Sequence, residues 1–300
     1  MDKIISPQPL VSIIMNCYNG ESYLKESLNS ILIQTYKNWE LIFWDNKSKD
    51  KSSEVFKSYN DPRFKYYYAE EHTTLYKARN LAAAKAKGDF IAFLDTDDLW
   101  EKNKLELQIH EFKSSKIGVV FSNCWILKKN KTKKIYINKK LPSGNIFNEL
   151  INNYNVGILT AVIRKDLFLS LTKRFDDRFT IIGDYDLFLR LSKICLFQAI
   201  QEPIATYRLH DKNFSNLNKE KEIEEIEIWL KENSLNLSEK DIQKLKNKND
   251  NSRFLNYKID GKYKNCVNML LDPKKKILSI KNLLLLIAPS ILLKKVLWFY

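Results

Sequence analysis

Asp95, Asp97 and Asp98 fall within four residues, directly after the apolar run Phe90 to Leu94. Carboxylates this close repel one another unless a positive charge joins them. Mg²⁺ and Mn²⁺ are hard cations that take oxygen ligands, usually one or two carboxylates with substrate phosphates and water. In extended backbone Asp95 and Asp97 share a face and Asp98 takes the other. The competing assignment is an Asp-rich turn that caps the next helix, LWEKNKLEL, through Asp97 or Asp98. Other groups able to do chemistry are spread along the chain: Asp45 at the end of ELIFWD, Arg79 in KARN, Asp184 and Asp186 in GDYDLFLRL, and His210 in YRLH.

The elements between these groups alternate. VSIIMNC, ELIFWD, FKYYY, DFIAFLD and GVVFSN are short apolar runs of strand length. Between them lie ESYLKESLNSILIQ, KSSEVFKSY, TLYKARNLAAAKAK and EKNKLELQIHEF. The first of these sets Tyr23, Leu24, Leu28, Ile31 and Leu32 on one helical face. The third is helical by propensity, with Gly88 as its stop. Strands alternating with helices predict crossover units and a mostly parallel sheet, whose ligands bind at the carboxyl ends of the strands. Asp45 and the Asp95–Asp98 cluster fall at such ends. Beyond them CWILKKNKTKKIYINKK predicts a basic hairpin turning near Asn130, AVIRKDLFLSL a strand and helix, FTIIGDYDLFLRLSKI a loop entering a helix, and EPIATYRLHDKNFS an extended piece ending in a polar loop.

Composition bounds the partners. The 300 residues carry 50 Lys+Arg against 36 Asp+Glu, a net charge of +14. Half the excess lies in 261–300, with eight lysines and one acid, Asp272. There NLLLLIAPSILLKKVLWFY is apolar, but its longest charge-free run, Asn282 to Leu293, has 12 residues and contains Pro289. A bilayer span needs about 20. Lysines flanking leucines, with aromatics closing the chain, predict a tail that lies on an anionic membrane surface. The alternative is a tail packed on protein. Cys17, Cys124, Cys195 and Cys266 have no CxxC spacing, which argues against a zinc site and a dense disulfide framework and suits a reducing compartment. The N-terminal stretch MDKIISPQPLVSII has no secretory pattern. GxGxxG and GxxxxGK[ST] are both absent, so a nucleotide here would rely on a metal and on strand-end side chains.

These stretches, in their order, resemble family 2 glycosyltransferases. The resemblance covers Pro9 to Ser215 and rests on VSIIMNCYNGESYLKESLNSILIQTYKNWELIFWDNKSKD, KARNLAAAKAKGDFIAFLDTDDLW, GDYDLFLRL and YRLHDKNFS. It implies the GT-A fold, a Rossmann-related α/β sheet flanked by helices, over 1–216. A helical extension with the cationic tail then occupies 217–300. It also implies a nucleotide-sugar donor, Mn²⁺ or Mg²⁺, and inversion at the anomeric carbon. By position, Tyr18 and Asn19 would lie near base and ribose, and Asp45 would read the base edge, uracil for choice. Arg79 would face the diphosphate. Asp95 and Asp97 would bind nucleotide, and Asp97, Asp98 and His210 the metal. Asp184 would be the general base, with Asp186 its competitor. Two positions depart from the family pattern: Asn46 replaces a second acid, and Gly183 precedes Asp184 in place of Glu.

The implied activity is transfer of a hexosyl or N-acetylhexosaminyl group, from UDP for choice, to a glycan or lipid-linked glycan acceptor of a surface polysaccharide or lipopolysaccharide. The expected place is the cytoplasmic face of the cell membrane, held peripherally. Two rivals share the acidic cluster: a metal-dependent sugar nucleotidyltransferase, which lacks its glycine-rich arginine loop here, and a nucleotide-sugar-binding relative without transfer activity. Nucleic acid is not an expected partner, because the lysines sit beside leucines and no binding motif is present.

Overall fold

The computed structural model describes residues 8–272, 275 and 280–287. The chain divides into two compact units, Met1–Asn213 and Phe214–Tyr300.

The first unit runs β1 (Val11–Cys17), α1 (Glu21–Leu32), β2 (Trp39–Asp45), α2 (Ser52–Lys57), β3 (Phe64–Tyr68), α3 (Leu75–Ala83), β4 (Phe90–Phe93), β5 (Leu99–Trp100), α4 (Lys104–His110) and β6 (Ile117–Leu127). It continues with β7 (Lys133–Ile135), α5 (Phe147–Asn152), β8 (Val162–Arg164), α6 (Lys165–Ser170), α7 (Gly183–Ser192) and β9 (Leu196–Arg208). One sheet has the order β3-β2-β1-β4-β8-β6-β9-β5, with β7 on β6. β1, β2 and β3 pair in parallel, as do β1 with β4 and β6 with β9. β8 is antiparallel to both β4 and β6, so β6 keeps the direction of β4. The carboxyl ends of β1, β2, β4, β6 and β9 therefore open on one rim.

The alternation that predicts these elements is also what buries them. Val11, Ile13, Met15 and Cys17 join Leu24, Leu28 and Ile31 of α1 in a single core. Each of those three α1 side chains is fully buried, which stabilises by about 1.5–3 kcal/mol apiece. The opposite face carries an aromatic group in which Phe93, Phe168 and Phe175 meet edge to face or tilted. Two expectations need adjustment. α3 ends at Ala83 and not at Gly88, because the chain must leave the helix to lay Asp89 against Leu10, whose carbonyl accepts from Asp89 N at 2.7 Å. The antiparallel β8 also separates β4 from β6, and only a three-residue strand does so.

Lys104 is an unusual core member. It is fully buried, donates to Gln108 Oε1 at 2.5 Å and lies 4.0 Å from the centre of the Trp100 ring. Burial pushes its pKa well below the usual lysine value.

The second unit is helical: α8 (Phe214–Leu217), α9 (Lys219–Asn233), α10 (Glu239–Ile259), α11 (Tyr263–Leu271) and α12 (Ile280–Ile287). Leu285 and Leu286 of α12 pack against Phe254, Cys266, Met269 and Leu270, and Lys258 Nζ donates to Leu286 O at 2.7 Å. These tail leucines thus pack on protein within their own unit. The rest of the expected membrane-facing tail, 274 and 276–279 together with 288–300, lies outside the described residues. No described helix is long and apolar enough to cross a membrane.

Candidate active site

Asp95–Thr96–Asp97–Asp98 follows β4 as a turn closed by Asp98 N donating to Asp95 O. Two elements hold that turn. Ser27 Oγ of α1 lies 2.8 Å from Thr96 O and 2.7 Å from Asp98 O, and Arg208 Nε donates to Asp97 O at 2.8 Å. Gly20 lets the loop after β1 approach the same turn, since a β-carbon there would stand 2.6 Å from Thr96 Oγ1.

The acids in the turn have separate environments. Asp95 Oδ1 pairs with Arg79 Nη2 at 2.6 Å. The Arg79 side chain is almost wholly buried, beside the rings of Tyr76, Phe93 and Phe175. Burial opposes its charge, and Asp95 more than offsets this, so the guanidinium is held firmly charged. Asp97 is partly open, and its Oδ2 lies 2.8 Å from His210 Nε2. His210 Nδ1 accepts from Lys212 N at 3.2 Å. That bond leaves the ring proton on Nε2, pointed at Asp97. Asp98 turns inward: it is 1% exposed and its Oδ1 accepts from Arg208 N at 2.9 Å. Burial, with Asp97 and Asp95 nearby, raises its pKa well above the carboxylate range.

The trio expected at the metal is therefore not gathered into one ligand set. Among the described residues no group of three or more His, Cys, Asp or Glu is placed to hold a cation. The donors that do fit a hard cation are the open oxygens of Asp97, with His210 beside them as an orienting partner, since its Nε2 proton faces Asp97 and its Nδ1 accepts from Lys212 N. One carboxylate plus substrate phosphate oxygens and water is an ordinary set for Mg²⁺ or Mn²⁺. Asp98 fits poorly, since desolvation favours its neutral form.

Residues after β1 and β2 build the neighbouring part of the rim. Tyr18 is half exposed, and its ring centre lies 4.2 Å from that of His72. Asn19 adopts a positive φ of 55°, which asparagine tolerates, and its Oδ1 accepts from Lys49 N at 2.8 Å. Asp45 is fully buried. Its Oδ1 accepts from Ser48 N and its Oδ2 from the Tyr66 hydroxyl, each at 2.7 Å. Asn19 thus ties the two loops together, while Asp45 folds the loop after β2 on itself and anchors it to β3. Asn46, which stands where a second acid was expected, bonds Thr73 through both ends of its amide.

Asp184 sits in the first turn of α7. Its Oδ2 accepts from the Tyr154 hydroxyl at 3.1 Å. The Tyr76 hydroxyl is shared between Asp184 Oδ1 at 3.2 Å and Ile181 O at 2.8 Å. Gly183 makes this possible, because a β-carbon there would stand 2.6 Å from the Tyr76 ring. Burial raises the Asp184 pKa, while the Arg79 charge and the two phenols pull the other way. Asp186 points elsewhere, into a partly buried pair with Arg190 at 2.7 Å. Arg190 in turn holds the carbonyls of Lys173 and Arg174.

Sequence reasoning missed Tyr76, Tyr154 and Arg208. Tyr76 stands three residues before Arg79 on α3, a spacing that puts both on one helical face. Tyr154, in NNYNVG, has no such signal. His72 lies in no motif of the sequence, and its ring faces Tyr18.

Residues 12–169 match the model of glycosyl transferase family 2. The chain is 36% identical over 216 residues, 71% of its length and 82% of the relative, to the UDP-Glc:alpha-D-GlcNAc-diphosphoundecaprenol beta-1,3-glucosyltransferase WfgD of Escherichia coli. Its structure is similar to S. aureus TarS 1–349 in complex with UDP-GlcNAc, with a TM-score of 0.61 at 19% identity over 81% of this chain and 72% of that one. It is also similar to the mannosyltransferase PcManGT of Pyrobaculum calidifontis in complex with GDP-Man and Mn²⁺, with a TM-score of 0.62 at 14% identity over 97% of this chain and 89% of that one. The parallel rim, the ordered acids upon it and these likenesses agree, and the chain belongs to glycosyl transferase family 2, with the GT-A fold.

Proposed function

We propose that the protein is an inverting glycosyltransferase that moves a sugar from a UDP-sugar to a hydroxyl of a lipid-linked glycan during surface polysaccharide or lipopolysaccharide assembly. The observation that carries this reading is Asp184: a carboxylate with a raised pKa, flanked by two phenols, in the unit that also carries Arg79–Asp95 and Asp97–His210. The acceptor class is supported by the diphosphoundecaprenol in the name of the E. coli relative.

In this reading Asp184 accepts the acceptor hydroxyl's proton as its oxygen attacks the anomeric carbon. The carbon–oxygen bond to the diphosphate breaks on the opposite side, and the electron pair leaves with the nucleotide. One displacement inverts the anomeric centre and needs no second carboxylate. Tyr76 and Tyr154 orient Asp184. Their hydroxyls also stabilise its ionised form, so burial raises the pKa without locking the proton on. Arg79 holds Asp95 in place, and its charge favours a diphosphate nearby. Tyr18 offers an aromatic face for the base or ribose, with Asn19 and Asp45 fixing the loops that present it. Mn²⁺ or Mg²⁺, held through Asp97 with His210 at its side, would offset the charge growing on the leaving diphosphate.

We assign 1–216 as the catalytic domain and 217–300 as a helical extension that, with Leu285 and Leu286 packed inside it, meets the anionic inner face of the cell membrane through its cationic surface. The test is transfer from a panel of UDP-sugars to polyprenyl-diphosphate-linked sugar, with Mn²⁺, Mg²⁺ or chelator. Product with one donor, lost on chelation, is the expected result. A nucleotide sugar formed from nucleoside triphosphate and sugar phosphate, with no glycoside, would overturn it.

A further inference from the structure

We propose that the basic hairpin joining β6 to β7 is a docking surface for an anionic lipid bilayer, and that it orients the catalytic rim toward a membrane-held acceptor. The inference rests on the lipid-linked acceptor reading above. Residues 128–140 contain seven lysines and no acid. Lys129, Lys131, Lys133, Lys134, Lys139 and Lys140 are all exposed. Lys129 pairs with Asp211 and Lys133 reaches Glu101 at 3.4 Å. Lys131, Lys134, Lys139 and Lys140 have no acidic partner among the described residues.

The position of the ribbon gives this charge a purpose. β6 ends on the rim, and Leu127 lies in register with Arg208 of β9, three residues before Asp211. The Lys129–Asp211 pair thus ties the turn to the segment that carries His210. At its other end Tyr136 N donates to Cys124 O of β6. The ribbon is therefore anchored at its turn to the segment that carries His210 and at its return to β6 itself. Its lysines are spread and solvated, with none buried as a built diphosphate pocket would require. Spread cations fit a plane of many phosphates. Tyr136, half exposed between Ile135 and Ile137, adds an amphipathic ring suited to the headgroup layer.

A lysine near an anionic surface multiplies affinity by about fivefold, less at physiological salt. The experiment uses the full chain with Lys131, Lys134, Lys139 and Lys140 all changed to Gln, so that the tail is common to both proteins. Sedimentation with phosphatidylglycerol-rich vesicles should show binding at least about tenfold weaker than for the unaltered chain. The matching set of four Lys→Arg changes should restore it. Hydrolysis of a UDP-sugar in solution should be unchanged. With acceptor embedded in those vesicles transfer should fall, and with acceptor in neutral detergent it should not. Unchanged vesicle affinity overturns the proposal, as does weaker binding to heparin with vesicle affinity intact. The vesicles in the binding assay hold no acceptor. A drop in binding together with no transfer to any lipid-linked glycan would sustain the surface and sink the acceptor reading.

Discussion

Asp184→Asn removes a proton acceptor while keeping the shape of the side chain. The amide oxygen can still accept from one phenol, and the other phenol can turn to accept from the amide nitrogen. Asp184 does not bond Arg79 or Asp95, so donor affinity should hold within about threefold, equivalent to under 1 kcal/mol. Loss of one general base costs about 10²–10⁴ in rate, roughly 2.7–5.5 kcal/mol of barrier. The variant should therefore release UDP in the presence of acceptor at least about a hundredfold more slowly, with calorimetric UDP affinity intact. The pH profile adds a second test. Burial raises the Asp184 pKa, so the ionised base is lost as pH falls through a value above the usual carboxylate range. The acid limb of kcat/KM should lie correspondingly high and disappear in the variant. The same shift predicts stability. A folded-state pKa above the unfolded value costs stability once pH rises past it, so Asp184→Asn should melt at or above the parent temperature at neutral pH. Transfer within threefold of the parent would refute the assignment. So would a dead Asp186→Asn that keeps its melting temperature, because the pair of Asp186 with Arg190 predicts a loss of stability.

Asp97→Ala should abolish metal-dependent UDP binding without lowering the melting temperature, since the side chain stands on the rim. His210→Gln should weaken Mn²⁺ affinity by about 10–100-fold, a smaller loss that fits a residue orienting Asp97; calorimetry with UDP and Mn²⁺ checks the order, and equal losses would make His210 a full ligand. Lys104→Met should stabilise the fold by about 1–2 kcal/mol at neutral pH, because it removes a buried cation with no acidic partner among the described residues. The depressed pKa of Lys104 means its penalty is present below that value and fades as pH rises toward the ordinary lysine range. The gain in thermal melts should shrink in the same direction, and a variant that melts lower at every pH would contradict this.

The β1–β4 half of the fold was legible because each strand is a short apolar run and each helix carries a clean apolar face. Leu24, Leu28 and Ile31 illustrate this, being both periodic in the sequence and fully buried in the core. β8 was harder to place. Three residues, Val162–Arg164, carry no direction, and their antiparallel insertion between β4 and β6 is decided by tertiary pairing. In the site, residue type indicated which acids stood at strand ends but not which way they turned. Asp97 and Asp98 are adjacent, yet one meets solvent and His210 while the other is sealed against Arg208 N. Asp45 looked like a free carboxylate on a rim, and local backbone geometry instead gives both its oxygens to Ser48 and Tyr66. The phenols on Asp184 come from 108 and 30 residues away in the chain, beyond the reach of any local pattern.

A single displacement at the anomeric carbon, with Asp184 as base, is written into the configuration of the product. The full chain is incubated with an α-linked UDP-sugar that it accepts and a polyprenyl-diphosphate-linked sugar. The new glycosidic bond is then examined by proton NMR, in parallel with Asp184→Asn. A single displacement gives a β-linked product from the parent chain and, at equal time, a trace of the same product from the variant. An α-linked product would require a second displacement or a front-face route, and would rule out Asp184 as the base of an inverting reaction.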